Sequence, residues 1–226
     1  MTRFALNRQI SHIQDEILLL GSMVEQATLD SLEALRQRDT KASREIYEAD
    51  QKINERRFAI ENAILILIAT QQPIAHDLRL LAAMLEVINE LERMGDYAKG
   101  IAKVNIRLGD STIPIPNREF ARMAEVAVSM LHKALTAFIA ENPNQASAIP
   151  LDDDEVDELY NRVHRILVNT MISNQNWIDH ANLLMWVAHN LERMADRVTN
   201  ICERTVFIAT GELLEMDSTD DEFSVE

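Results

Sequence analysis

Residues 91–96 read Leu-Glu-Arg-Met-Gly-Asp, and residues 191–196 read Leu-Glu-Arg-Met-Ala-Asp, with Gly95 against Ala195 as the one difference. A string that recurs after 100 positions indicates a duplicated structural unit, so the chain is predicted to contain two copies of one unit. In both copies the Glu and the Asp are four residues apart, which places two like charges on one face of a helix. Such a pair destabilises a helix by roughly 0.2–0.5 kcal/mol, so we expect a positive charge near each motif.

The composition predicts a helical protein. Of the 226 residues, 47% are hydrophobic and 26% are charged, whereas Gly and Pro contribute only five residues each. Such a chain can bury a substantial core, and its many Leu, Ile, Ala, Met, Glu and Arg residues favour helices over sheets. The net charge of −15 would repel the phosphates of DNA and RNA, so no nucleic-acid partner is expected.

The distribution of apolar residues predicts no insertion into a membrane. The longest apolar run, residues 63–69, is far shorter than the ~20 residues of a spanning helix, and no signal-peptide core is evident at the start of the sequence. The predicted location is therefore the cytoplasm. The one cysteine, Cys202, lies in an apolar helical stretch and is interpreted as a buried, inert thiol.

Apolar residues recur every three or four positions in long stretches of each unit, which is the spacing of amphipathic helices. In the first unit the helices are predicted over residues 4–37, 41–71 and 74–108, with Asp39 or Thr40 as the cap of the second helix. Residues of the first helix recur at an offset of 100 and those of the second at an offset of 103. The predicted fold is all-α, with six helices in two tandem, pseudo-symmetric, antiparallel three-helix bundles.

The predicted domain boundaries follow from breaks in this pattern. Residues 1–109 form the first bundle, the Pro-containing residues 110–117 form a linker, and residues 118–212 form the second bundle. Residues 213–226 are acidic and poor in apolar groups, so they are predicted to be a disordered tail.

Acidic side chains are predicted to gather at one level of each bundle. Helices rise about 1.5 Å per residue, so positions equally distant from a turn of an antiparallel bundle lie at the same height. The first level contains Glu25, Asp50, Asn54, Glu92 and Asp96, and the second contains Glu125, Asp153, Asp157, Glu192 and Asp196. Asp50 and Asp153 also continue the inward stripe of their helices, where an unpaired carboxylate would be costly.

So many oxygen ligands predict a metal site in each bundle. Carboxylates without Cys or His favour hard or intermediate cations. The predicted cofactor is one or more divalent or trivalent metal ions, and the residues leave the choice between iron, manganese, zinc, magnesium and calcium open.

Two other interpretations of the acidic motifs stay open. In the first, Glu92 and Glu192 pair with bases such as Arg93 and Arg193 on a wet surface, and the chain is a metal-free helical scaffold. In the second, the chain stores metal or uses two metal ions for redox chemistry, although no His follows a Glu by three positions as in di-iron bundles. Neither a nucleophile–base pair nor a glycine-rich phosphate loop is evident, so the protein is not expected to be an enzyme.

The repeated motifs also resemble those of a known family. The resemblance is carried by Gly21-Ser-Met-Val-Glu-Gln26, Gln72-Pro-Ile-Ala-His-Asp-Leu-Arg79, Glu92-Arg-Met-Gly-Asp96, Glu192-Arg-Met-Ala-Asp196 and Asn200-Ile-Cys-Glu203. With these segments, residues 1 to about 212 look similar to the PhoU family of accessory regulators of bacterial phosphate uptake.

This resemblance implies two three-helix bundles, a homodimer, and multinuclear metal sites on the acidic motifs of some members. It also implies a negative regulator of the phosphate-starvation response that links the ATPase subunit of a phosphate ABC transporter to a membrane sensor histidine kinase. Carried over by position, the metal residues are Glu92, Asp96, Glu192 and Asp196, flanked by Asp50, Asn54, Asp153 and Asp157. Asn54 against Asp157 gives the first site one charge fewer, which argues against equal affinity of the two sites.

Overall fold

The structure, a computed structural model, describes residues 3–216. This part of the chain contains seven α-helices. They are α1 (Arg3–Gln37), α2 (Thr40–Gln71), α3 (His76–Leu108), α4 (Asn117–Ile139), α5 (Pro143–Ala148), α6 (Asp153–Ser173) and α7 (Ile178–Thr210). Short 3₁₀ turns, Pro150–Asp152 and Gln175–Trp177, flank α6. No strand occurs in residues 3–216, and the predicted all-α class is confirmed.

The turns between helices use capping residues that the sequence supplies. Asp39 is the N-cap of α2, and its Oδ1 accepts two backbone N–H hydrogen bonds of 2.9 Å from the first turn of that helix. A helix N-terminus leaves these donors unpaired, so the carboxylate determines where α2 begins. Gln72 ends α2 in the left-handed conformation, and Ala75, also at positive φ, delays the start of α3 to His76 instead of Ile74.

Two three-helix bundles are arranged in tandem, as the repeat predicts. Helices α1, α2 and α3 pack on one another, and α4, α6 and α7 do the same. Ile64 and Leu91 are fully buried in the first bundle, and Val163 and Leu191 are fully buried in the second. The buried apolar side chains of both bundles form one continuous core, so burial across the pair stabilises both bundles.

The bundles meet where α3 packs along α7 and α1 packs against α4. Gly21 permits the close approach of α1 to α4, because a Cβ at this position would lie 2.2 Å from Cδ1 of Leu135. Farther along α1, Oγ1 of Thr28 lies 3.7 Å from Sδ of Met194 on α7. Because α3 packs along α7, the two helices that carry the repeated motifs are neighbours.

Backbone contacts hold the linker between the bundles in place. The guanidinium of Arg38, at the α1–α2 turn, donates hydrogen bonds to the carbonyl oxygens of Ser111 and Ile113. The side chain of Ile113 is fully buried. The predicted joint is thus tied to the first bundle through its backbone, and the side chain of Ile113 lies in the core that both bundles share.

The short helix α5 was not predicted from the sequence. It follows the N-cap Asn142, whose side chain accepts a 3.1 Å hydrogen bond from the backbone N–H of Gln145. At the offset of 103, α5 and the 3₁₀ turn replace the first turns of α2, and Pro150 stands where α2 has Tyr47. Proline cannot donate the backbone hydrogen bond of a helix interior, so one long helix becomes two.

After α7 the chain continues without helix or strand to Met216, whose backbone N–H donates a 2.8 Å hydrogen bond to Oε1 of Glu203. Residues 217–226 of the predicted acidic tail lie outside the described residues, as do residues 1 and 2. Within the described range, no helix combines the length and the apolar character needed to cross a bilayer.

Candidate carboxylate sites

The first acidic cluster consists of Asp50 on α2 and of Glu92 and Asp96 on α3. The side chain of Asp50 is only 5% exposed, as its place on the inward stripe predicts. Gly95 brings α3 close to α2 at this point, since an added Cβ would lie 3.1 Å from Cδ1 of Ile53 and 3.7 Å from Oδ1 of Asp50. The helix contact thus places a buried carboxylate beside the first motif.

The pKa of Glu92 reflects the charges around it. Burial raises this pKa most, and the negative charges of Asp96 and Asp50 raise it further. The positive charges of Arg57 and Arg93 act in the opposite direction. The three acids of the first cluster therefore repel one another, and cations already lie near them.

Lys99 places an ammonium group inside the first cluster. Its Nζ lies 2.7 Å from Oδ2 of Asp50, 3.5 Å from Oδ1 of Asp96 and 5.4 Å from the centroid of the Tyr47 ring. The hydrogen bond to Asp50 raises the pKa of Lys99, so the group is charged at neutral pH. Nδ2 of Asn54 donates a 3.1 Å hydrogen bond to the same Oδ2 of Asp50. The positive charge expected near the first motif is thus supplied by the chain itself.

The second acidic cluster consists of Asp153 and Asp157 on α6 and of Glu192 and Asp196 on α7. Helix α6 packs on α7 as α2 packs on α3. Asp153 is 4% exposed, which matches the burial of its equivalent, Asp50. The duplicated fold therefore repeats the buried aspartate beside the second motif.

Bases on α7 contact two of these acids. Nδ1 of His189 lies 3.3 Å from Oε2 of Glu192, and Nη1 of Arg193 lies 3.1 Å from Oδ2 of Asp196. Burial lowers the pKa of His189, so its imidazole is predominantly neutral at pH 7. A hydrogen bond with Tyr97 of α3 raises the pKa of Arg193, which ties this motif to the other bundle.

The structure places Glu25 and Glu125 away from the contacts that define the clusters. Oε1 of Glu25 lies 3.5 Å from Nδ1 of His132 on α4, so this side chain belongs to the interface between bundles. Glu125 is 62% exposed in its side chain, and its Oε2 lies 3.4 Å from Nη1 of Arg122. A cleft between α1, α2 and α3 is lined by Asp50 and by residues of α1 such as Met23, but not by Glu25.

In residues 3–216, no three His, Cys, Asp or Glu side chains stand in an arrangement that could hold a metal ion. The metal-binding residues and the metal ions thus remain predictions.

Three groups beside the clusters were not among the predicted site residues: Lys99, Arg57 and His189. Their spacing from the acidic residues along the helices could have indicated Lys99 and His189. Lys99 follows Asp96 by three positions and Glu92 by seven, which places all three on one face of α3. His189 precedes Glu192 by three positions on α7.

The fold and the clusters together define a class of protein: a duplicated three-helix bundle with one acidic motif and one buried aspartate in each copy. The family model described as "PhoU domain" matches residues 17–104 and again residues 120–205. These two matches cover both bundles, and the chain belongs to the PhoU family.

Similar proteins agree with this assignment along the whole fold. The chain is 34% identical over 218 residues to the "Phosphate-specific transport system accessory protein PhoU homolog" of Clostridium acetobutylicum, covering 96% of this chain and all of that protein. A homolog with the same description from Zymomonas mobilis is 34% identical, with 92% of this chain and 87% of that protein covered. The crystal structure of the phosphate transport system regulatory protein PhoU from Streptococcus pneumoniae superposes with a TM-score of 0.85 at 29% identity, covering 92% and 99% of the two chains.

Proposed function

We propose that the protein is a non-enzymatic regulator of phosphate uptake, acting as an accessory protein of a phosphate-specific transport system. The observation that carries this proposal is the match to the accessory protein of Clostridium acetobutylicum, which extends over the full length of that relative. Both bundles take part in the match, so the relationship concerns the complete two-bundle fold and not one shared motif. The proposed function rests on family membership, because a helical bundle by itself is compatible with many functions.

The finer proposal concerns partners. The protein is a homodimer that docks on the ATPase subunit of a phosphate ABC transporter and on a phosphate-responsive sensor histidine kinase, at the cytoplasmic side of the membrane. By this contact it represses the phosphate-starvation response when phosphate is abundant. Affinity for both partners then resides in the outer faces of the helices.

A gene deletion tests the regulatory role. In phosphate-rich medium, the deletion should leave a phosphate-responsive reporter switched on, and a plasmid copy of the wild-type gene should restore repression. Normal repression in the deleted strain would contradict the proposal.

Purified components test the partners. Binding of the full chain to the ATPase subunit and to the cytoplasmic part of the kinase can be measured by biolayer interferometry, and the mass of the free protein by light scattering. A monomeric mass would contradict the homodimer, and absence of binding to both partners would contradict the adaptor role.

The proposal includes metal ions that stabilise the acidic clusters, because clustered carboxylate oxygens are ligands for hard cations. Elemental analysis of untagged protein should show metal that is lost from the variant Glu92→Gln, Asp96→Asn, Glu192→Gln, Asp196→Asn. Equal metal content in the two preparations would rule out these carboxylates as the binding site.

A further inference from the structure

The two acidic clusters differ in the cations that the chain itself provides. We propose that the ammonium group of Lys99 is the permanent counter-ion of the first cluster, so that this cluster binds no metal ion in the wild-type protein. The inference rests on the proposed function and narrows one part of it, because any metal ion is then confined to the second cluster. Its claim about the first cluster holds whether or not the second cluster binds metal.

The contacts of Lys99 support this role. Its ammonium group lies 2.7 Å from a carboxylate oxygen of the 5%-exposed Asp50 and 3.5 Å from one of Asp96. Two carboxylates from two helices thus converge on one cation, which is the arrangement that a bound metal ion would otherwise produce. The side chain of Lys99 is 29% exposed, so part of its charge is shielded from solvent together with Asp50.

A second cation acts on the remaining acid of this cluster. The positive charge of Arg57 opposes the effects of burial and of the neighbouring acids on the pKa of Glu92. The guanidinium of Arg57 is also paired with Glu61, one helical turn farther along α2. A metal ion entering the first cluster would therefore meet repulsion from Lys99 and Arg57, and it would have to displace Lys99 from a buried carboxylate.

The second unit has neutral residues at the equivalent positions. Thr199 stands where α3 has Lys99, and Tyr160 stands where α2 has Arg57. The second unit also has Asp157 in place of the neutral Asn54. Thr199 is 6% exposed, and its Oγ1 has no hydrogen-bond partner among the described residues. At the two positions where the first copy has the cations Lys99 and Arg57, the second copy thus has the uncharged side chains of Thr199 and Tyr160, although Arg193 still pairs with Asp196.

The experiment isolates the first cluster and then removes its cation. The parent is the full-length variant Glu192→Gln, Asp196→Asn, in which the second motif is neutral. Into this parent we would introduce either Lys99→Thr, which copies the residue of α7, or Lys99→Arg, which keeps the positive charge. Bound Mn²⁺ would be measured by equilibrium dialysis with elemental analysis and by the loss of the electron paramagnetic resonance signal of free Mn²⁺.

The expected result is no Mn²⁺ bound by the parent or by its Lys99→Arg form, and about one Mn²⁺ per chain bound by its Lys99→Thr form. Adding Glu92→Gln and Asp96→Asn to the Lys99→Thr form should abolish this binding. Far-ultraviolet circular dichroism would verify that each variant keeps its helices, and Thr at this position is already tolerated in α7.

Two outcomes would overturn the inference. Mn²⁺ binding by the parent that is lost with Glu92→Gln and Asp96→Asn would show that the first cluster takes metal despite Lys99. Absence of binding by a folded Lys99→Thr form would show that Lys99 is not what excludes metal. Neither outcome depends on the reporter assay, so failure of this inference can be told apart from failure of the regulatory role.

Discussion

Nη1 of Arg197 on α7 lies 3.5 Å from Oε2 of Glu90 on α3, and this ion pair joins the two bundles. The two side chains are 15% and 13% exposed, so solvent and salt screen the pair only weakly. The equivalent positions in the other bundle are Tyr97 and Asn190, so the pair departs from the internal repeat. The contact therefore favours the pairing of a first unit with a second unit over the pairing of two identical units.

Replacing Arg197 with Met is expected to lower the free energy of unfolding by about 1.5–3 kcal/mol, because Glu90 loses its cationic partner in a largely buried site. The double variant Arg197→Met, Glu90→Gln should lose less than the sum of the single variants, since neither charge is then left without the other. Urea denaturation of the four proteins measures this coupling. As a control, Arg122→Met removes the solvent-exposed ion pairs with Glu125 and Glu155, and it should cost less stability than Arg197→Met. Additive losses for Arg197 and Glu90 would contradict the coupling.

Burial of Asp50 and Asp153 could be predicted, because both continue an apolar stripe of three- and four-residue spacing. The position of Glu25 could not be predicted from height alone. Counting residues from a turn predicts the height of a residue along the bundle. It does not predict which face of the helix the side chain occupies, because each residue turns the helix by about 100°. Glu25 lies on the face of α1 that meets His132, and the cleft beside Asp50 is lined by other residues of α1.

How the two bundles pack against each other could not be predicted from the sequence either. A repeat predicts that two units share a fold, but residues at their interface need not repeat, as Arg197 and Glu90 show. The ion pair becomes visible only when α3 and α7 are placed side by side. Similarly, Pro150 signals a break in a helix, but it does not reveal that the residues before it form α5.

Asn105 connects α3 to the α1–α2 turn, and Asn105→Ala is expected to destabilise the protein by about 1–3 kcal/mol. Its Nδ2 lies 2.9 Å from the carbonyl oxygen of Ala34, 3.2 Å from that of Asp39 and 2.8 Å from Oγ of Ser43. Asn105 is 1% exposed, so truncation removes the donor from buried acceptors that water cannot readily reach. Thermal and urea unfolding measure the loss. A change below about 0.5 kcal/mol would show that these hydrogen bonds contribute little.

The thiol of Cys202 is expected to be unreactive in the folded protein. Its side chain is fully buried, and burial raises its pKa to about 12, so the reactive thiolate is scarce at neutral pH. Reaction with a chromogenic disulfide reagent should be negligible in native buffer and should reach one thiol per chain in guanidinium chloride, since the sequence contains one cysteine. Rapid labelling of folded protein would contradict the buried position.

The raised pKa of Glu92 predicts how stability varies with pH in metal-free protein. The folded chain holds the Glu92 proton more tightly than the unfolded chain, whose pKa is near the ordinary 4.5, so this group favours folding at acid pH. Its contribution is lost as the pH rises from about 4.5 through the raised pKa of the folded state. Gln cannot ionise, so Glu92→Gln should gain stability relative to wild type across this window and keep the gain at pH 7. Urea denaturation at several pH values in the presence of a chelator measures the difference. A constant difference between the two proteins from pH 4 to pH 7 would mean that the charges around Glu92 do not oppose its ionisation.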